Sequence, residues 1–320
     1  MGVITSLLST CAPFLAILAA HKAFRFLWTH HARPWAQGDI GVLRYLHGTK
    51  GKPAWALVTR AAACDDLNVG NVGLGRALCF ELAARGFNVV MHGGDRMALD
   101  AMKEGLEREF PWNRYRIVVE NSGVEAEAET QGAANEVLVA RVADAMEGEN
   151  LTVLVNNTTT VPGRAHGGVG RATTIATQLT AALIPLLRRN APSLVVNIAS
   201  VAAPRDEMLQ MPVCASCGAP RTYARDSIDV ASYRLGDSAI GDERPSYFRP
   251  SPETLACAVL RHAGVEHDGG KGRSYAGAIV PYLPHAVLYM SSEALPEWAL
   301  GWARELWEKG EELRFLKSEE

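Results

Sequence analysis

The chain has 320 residues, 48% of them hydrophobic, and a formal net charge of -3. That length supports one domain with a large core and an accessory segment. Acids and bases are interspersed, with no basic stripe of the kind that grips phosphate backbones, so no nucleic-acid partner is expected.

Residues 3–20, VITSLLSTCAPFLAILAA, carry no charge and are just long enough to cross a thin bilayer. Lys22, Arg25 and Arg33 follow, with Phe24, Phe26, Leu27 and Trp28 between them as an interfacial belt. Residues 1–28 are therefore expected to form a membrane-anchor helix that leaves the rest of the chain in the cytosol. The basic residues come after the apolar run, which argues against a cleaved leader. A buried or interface-lying helix is the alternative. Pro34, Gly38, Gly41, Gly48, Gly51 and Pro53 mark residues 29–53 as a linker, and residues 54–320 as the folded domain.

Ala54 to Thr59 has strand length. Gly73-Leu74-Gly75 then opens a helix with Leu74, Ala77, Leu78 and Leu82 on one face. Gly86 sits where a left-handed C-cap would stop that helix. Phe87 to Met91 is a second buried-type strand. This strand–turn–helix unit makes a place for a phosphate: glycines admit a close backbone approach, and the helix N-terminus offers unpaired N–H groups.

The alternation continues. Leu99, Met102, Leu106 and Phe110 mark a helix, and Tyr115 to Val119 a third strand. Val137, Leu138, Val142 and Met146 mark a helix, and Leu151 to Val155 a fourth strand. Ile175, Leu179, Leu183 and Leu186 mark another helix, and Leu194 to Ile198 a fifth strand. The expected fold is α/β, a doubly wound parallel sheet of Rossmann type. Such sheets bind ligands at the carboxyl ends of their strands. There the chain places the glycine turn, then His92 to Arg96, then Asn156 and Asn157, then Ser200 and, further on, Tyr223. Asp95 would favour a free ribose 2′-hydroxyl and Arg96 a 2′-phosphate, so the residues themselves leave NAD and NADP open.

With those residues in view, the chain resembles the short-chain dehydrogenase/reductase family over roughly residues 54 to 290. Within it, the chain is most similar to the membrane-bound very-long-chain 3-oxoacyl-CoA reductases and the related 17β-hydroxysteroid dehydrogenases. The matching stretches are RYLHG (44–48), WALVT (55–59), GLGRALCFELAARGFNVVMHG (73–93), LTVLVNN (151–157), TAALIP (180–185) and VVNIAS (195–200). Later come RPSYFRPSPETLACAVL (244–260) and PHAVLYM (284–290). The resemblance implies hydride transfer between a carbonyl and an alcohol, with NADP(H) favoured over NAD(H). Thr59, Gly73, Leu74, Gly75, Asp95, Arg96, Asn156 and Asn157 would contact the cofactor. Ser200 would orient the carbonyl and Tyr223 would pass the proton. No metal is implied.

Several family positions are altered. The glycine expected after Thr59 is Arg60, and residues 61–72 hold an insertion. Thr158-Thr159 replaces a small pair, and the relay asparagine position is Ala172. The lysine that should lower the tyrosine pKa, four residues on from Tyr223, is Ser227, and no lysine lies between Lys103 and Lys271. Between Tyr223 and Tyr247 no sixth apolar strand is expected, nor a Pro-Gly beside the nicotinamide. Cys214 and Cys217 form one CxxC without two further ligands at zinc spacing. Trp298, Trp302 and Trp307 with Leu295, Leu306 and Leu313 predict an amphipathic C-terminal helix, docked on the domain or presented to a membrane or to a second copy as a homodimer contact.

Two functions follow. One is an NADP(H)-dependent reductase of a lipid-like ketone, 3-oxoacyl or steroid in type, at a membrane such as the endoplasmic reticulum with its catalytic domain facing the cytosol. The other is a relative that has lost catalysis and acts as a binding or scaffold protein.

Overall fold

A computed structural model describes residues 2–28, 32, 36, 40–48, 51–62, 73–120, 128–157, 168–200, 227–236, 238, 244–263 and 280–294. Six strands form one parallel sheet: β1 (Ala54–Val58), β2 (Asn88–Gly93), β3 (Tyr115–Val119), β4 (Asn150–Asn157), β5 (Ser193–Ser200) and β6 (Ile228–Leu235), in the order β3-β2-β1-β4-β5-β6. Eight helices among the described residues surround it or precede it: α1 (Gly2–Leu27), α2 (Ile40–Leu43), α3 (Leu74–Ala84), α4 (Arg96–Glu109), α5 (Ala128–Met146), α6 (Gly168–Arg189), α7 (Pro252–His262) and α8 (Leu283–Ala294).

Period-two alternation splits the core into two layers. Ala56, Val58, Val89, Met91, Val153, Val155, Val196 and Ile198 face α3, α4 and α7. Trp55, Leu57, Val90, Leu151, Leu154 and Val195 face α5 and α6. Both faces are covered, so the central strands read as continuous apolar runs. Gly86 ends α3 with φ 95, while its N–H and that of Phe87 donate to the Ala83 and Leu82 carbonyls.

A sixth strand exists where none was expected. IDVASYRL carries more polar residues than the central strands, and among the described residues it is paired with β5. Only Ala231, Tyr233 and Leu235 face the larger core layer. Asp229, the residue that most disguises the pattern, is buried and accepts a hydrogen bond from the Tyr45 hydroxyl, with Arg44 at 3.6 Å.

Tyr45 and Val42 are themselves fully buried, although they fall in the segment expected to be a linker. The RYLHG stretch closes the amino-terminal edge of the sheet: His47 Nε2 meets the Pro192 carbonyl at 2.9 Å, and Asn150 Nδ2 donates to the His47 carbonyl at 2.6 Å. Tyr45→Phe takes a hydrogen-bond donor from a buried carboxylate, so stability is expected to fall by about 1–3 kcal/mol, read by urea denaturation.

The stretch expected to be an anchor does form one helix, α1, with Pro13 inside it. Among the described residues, however, no helix is long and apolar enough to cross a membrane. Thr5, Ser6, Ser9 and Thr10 interrupt the apolar run, and a spanning anchor at residues 1–28 has no support in the structure. What α1 does present is an exposed row of Phe14, Ile17, Leu18 and Phe24.

Candidate active site

Parallel strands put their carboxyl ends on one side, and the turn after β1 is built there. Thr59 is buried; its hydroxyl accepts the Asn157 N–H at 3.0 Å and lies 3.3 Å from the Val155 carbonyl. Arg60 has φ 50, a left-handed backbone in the place where a glycine was expected. The altered residue thus keeps the conformation of the one it replaces, at a cost of about 1–2 kcal/mol. Its carbonyl accepts from Asn157 Nδ2 at 3.3 Å, and the next N–H, of Ala61, donates to the His92 carbonyl at 2.8 Å. β4, β1 and β2 are therefore tied together at the turn.

Gly73 caps α3 with φ 91 and no side-chain hydrogen bond to the first turn. Gly75 is where helix and turn touch: a Cβ there would lie 2.3 Å from the Arg60 carbonyl oxygen and 2.9 Å from Ala61 Cα. Leu74 points into the core, fully buried. Its side chain is packing, and only its backbone stands at the helix start.

The residues expected to read the ribose have other tasks. Asp95 caps α4 by accepting the Ala98 N–H at 3.1 Å. Arg96 pairs with Asp100 one turn on at 2.6 Å and is mostly exposed. An acid followed by a base after a strand is a helix N-cap signal as much as a ribose signal.

His92, to which sequence reasoning gave no role, sits deeper. β2 runs through Gly93, so His92 is a strand residue rather than a loop residue. The residue is 1% exposed, neither ring nitrogen has a hydrogen-bond partner among the described residues, and Glu120 Oε2 is 3.9 Å away. Burial holds the imidazole below its usual pKa; Glu120 opposes this and Arg60 adds to it. The unfolded chain therefore takes up this proton first, and stability is expected to drop as pH falls below about 6.5, by no more than about 1.4 kcal/mol per pH unit for one proton. Denaturation midpoints at pH 5 and pH 7.5 should show the drop, and His92→Leu should reduce it.

Asn156 is fully buried. Its Nδ2 donates to Thr180 Oγ1 at 3.0 Å and to Asn197 Oδ1 at 2.9 Å, which joins β4 to α6 and β5. Ser200 ends β5, and its register partner is Leu235 at the end of β6. Thr59, Gly73, Gly75, Asn156, Asn157 and Ser200 thus share the carboxyl end of the sheet.

Tyr223 lies outside the described residues, as do Thr158, Thr159, Cys214, Cys217, most of the 61–72 insertion and the tryptophan-rich stretch after residue 294. Ser227 is described, and it lies at the opposite end of β6. Its φ is 56, and its carbonyl accepts the N–H of Ser193, the first residue of β5. Eight strand steps from Ser227 to Leu235 place it about 26 Å from the Ser200 end. A lysine at 227 could not serve this site.

A parallel sheet in this order, with a glycine-bearing turn at the start of α3 and a strand-ending serine, is the Rossmann-type architecture. No protein-family model matches the sequence. A very-long-chain 3-oxoacyl-CoA reductase-like protein of Arabidopsis thaliana is 26% identical over 243 residues, 66% of this chain and 70% of that protein. A short-chain dehydrogenase from Streptomyces avermitilis has a TM-score of 0.51 at 20% identity, over 82% of this chain and 97% of its own. One from Sphingobium yanoikuyae, solved with NADPH, has a TM-score of 0.49 at 17% identity, over 78% and 95%. The chain is thus similar in sequence and in fold to short-chain dehydrogenases/reductases.

Proposed function

We propose that this protein binds NADP(H) at the β1 turn and reduces a ketone of a lipid-like substrate, 3-oxoacyl or steroid in type. The observation that carries the cofactor reading is the contact of Gly75 with Arg60 and Ala61. It seats the start of α3, uncapped by any side chain, directly beside the turn. Thr59 and Asn157 hold that turn, and Arg60 adds a positive charge. The residues present therefore fit a dinucleotide phosphate. The nicotinamide, when bound, supplies the hydride. Ser200 would orient the carbonyl by donating a hydrogen bond to its oxygen, and Tyr223, in the role the family resemblance gives it, would pass the proton. A free tyrosine, with a pKa near ~10, is a poor acid–base catalyst without a neighbouring lysine, so slow turnover is expected. The name of the Arabidopsis relative supports the acyl substrate class. The exposed apolar row of α1 supports attachment to a membrane surface, at the endoplasmic reticulum with the domain in the cytosol.

A second reading is a cofactor-binding protein without turnover, serving as a scaffold. The position of Ser227, far from Ser200, favours it. A titration of the full chain in detergent with NADPH and with NADH, followed by nicotinamide fluorescence, decides first. Saturable binding supports the turn, and NADPH is expected to bind more tightly. NADPH oxidation with a long-chain 3-oxoacyl thioester, lost in Ser200→Ala and Tyr223→Phe, would establish the reductase. Binding without oxidation of acyl or steroid ketones would leave the scaffold. No binding by folded protein would sink both.

A further inference from the structure

His285 stands at the start of α8, in a stretch to which the site described above gives no task. Its side chain is buried, 4% exposed. Nδ1 accepts the backbone N–H of Gly236 at 3.2 Å, and Nε2 lies 2.9 Å from the Phe248 carbonyl oxygen. A backbone N–H only donates and a carbonyl only accepts. Both bonds exist together in one form of the ring alone, the neutral tautomer with its proton on Nε2. Tyr282 packs edge-on against the imidazole with ring centroids 4.9 Å apart, and its hydroxyl donates to the Tyr247 carbonyl at 3.1 Å. Room for the ring comes from Gly236, where a Cβ would stand 2.8 Å from both Cε1 and Nδ1.

Three segments therefore meet on one imidazole: the end of β6, residues 246–249, and α8. The location matters. Gly236 directly follows Leu235, the register partner of Ser200. Whatever holds Gly236 holds the strand end that flanks the serine.

We propose that His285 is a positioning residue that clamps the end of β6 to the 246–249 loop and thereby sets the wall of the cleft beside Ser200. The kinetic consequence rests on the reading of Ser200 as the carbonyl-orienting group; the clamp itself does not.

Histidine-selective nitrogen-15 spectra of the full chain at neutral pH test the clamp directly. His285 should show a pyrrole-type Nε2 and a pyridine-type Nδ1. The reverse tautomer, or averaging between the two, overturns it. Amide hydrogen exchange at Gly236 should be slow in the wild type and in His285→Asn, whose side-chain oxygen occupies the Nδ1 position, and fast in His285→Ala. Equal exchange in all three overturns the proposal, and the Asn variant decides against wild type should the Ala variant not fold. For ketone reduction, His285→Ala is expected to lose about 10- to 100-fold in kcat with NADPH affinity within about twofold of wild type, and His285→Asn to recover most of the loss. A folded His285→Ala with wild-type kcat, or an Asn variant no better than it, defeats the positioning role. A wild type that binds NADPH but reduces no ketone defeats the reductase reading instead, while the tautomer and exchange results still judge the clamp.

Discussion

Gly75→Ala is expected to destabilise the domain by about 2 kcal/mol net and to abolish saturable NADPH binding. Two effects compete. Alanine is the better helix former, and in an exposed helix the change would gain about 1 kcal/mol. Here the new methyl would stand 2.3 Å from the Arg60 carbonyl oxygen and 2.9 Å from Ala61 Cα and its carbonyl oxygen. All of these are backbone atoms of a turn tied to β4 by Asn157 and to β2 by His92, so none can swing aside as a side-chain end would. Overpacking of this kind costs about 3 kcal/mol, which exceeds the helical gain. Relief can come only by moving α3 away from the turn, and that withdraws its first-turn N–H groups from the phosphate position. Urea denaturation and the NADPH titration measure the two losses separately. A variant as stable as wild type with intact binding would show that the contact is not required.

Asn156→Ala is expected to cost about 2–4 kcal/mol and to weaken NADPH binding without direct contact. The side chain is fully buried, and its amide serves both Thr180 and Asn197. Truncation takes the donor away from the buried Asn197 oxygen and leaves a small void, and each adds about 1–2 kcal/mol. Asn157, the next residue, carries two of the bonds that hold the β1 turn, so slack at 156 reaches the cofactor position. Thr180 still donates to the Ala176 carbonyl at 2.6 Å, which limits the loss on the α6 side. Denaturation of the variant gives the first number, and the shift in NADPH midpoint the second.

Much of this was legible before any coordinates. The first five strands, the helices between them and the left-handed stop at Gly86 follow from local signals: apolar runs, helical spacing, and a residue without Cβ at the required φ. The placement of Thr59, Gly73, Gly75, Asn156, Asn157 and Ser200 at one end followed from parallel order alone, because every crossover returns the chain to the same edge. Misreadings occurred where a residue's partner is distant in sequence. No sixth strand was expected over residues 228–235, where buried Asp229 takes its hydrogen bond from Tyr45, 184 residues away. Residues 40–48 looked like a linker because glycine and proline surround them, while the burial of Val42 and Tyr45 depends on strands that come later. Asp95 and Arg96 were equally compatible with a ribose and with a helix start, and the cap bond to Ala98 and the Asp100 pair give them the second task.

The sequence by itself determined the doubly wound class and the set of residues at the carboxyl edge, since period and order are local and additive properties of the chain. Only the tertiary structure decided which of those residues are free to act. It paired Asn156 inward, buried Leu74, set His92 in the interior beside Glu120, moved Ser227 to the far end of β6, and brought His285 against Gly236. Each of these depends on a contact between segments far apart along the chain, and hydrogen-bond satisfaction in a packed interior is settled by those contacts rather than by neighbours in sequence.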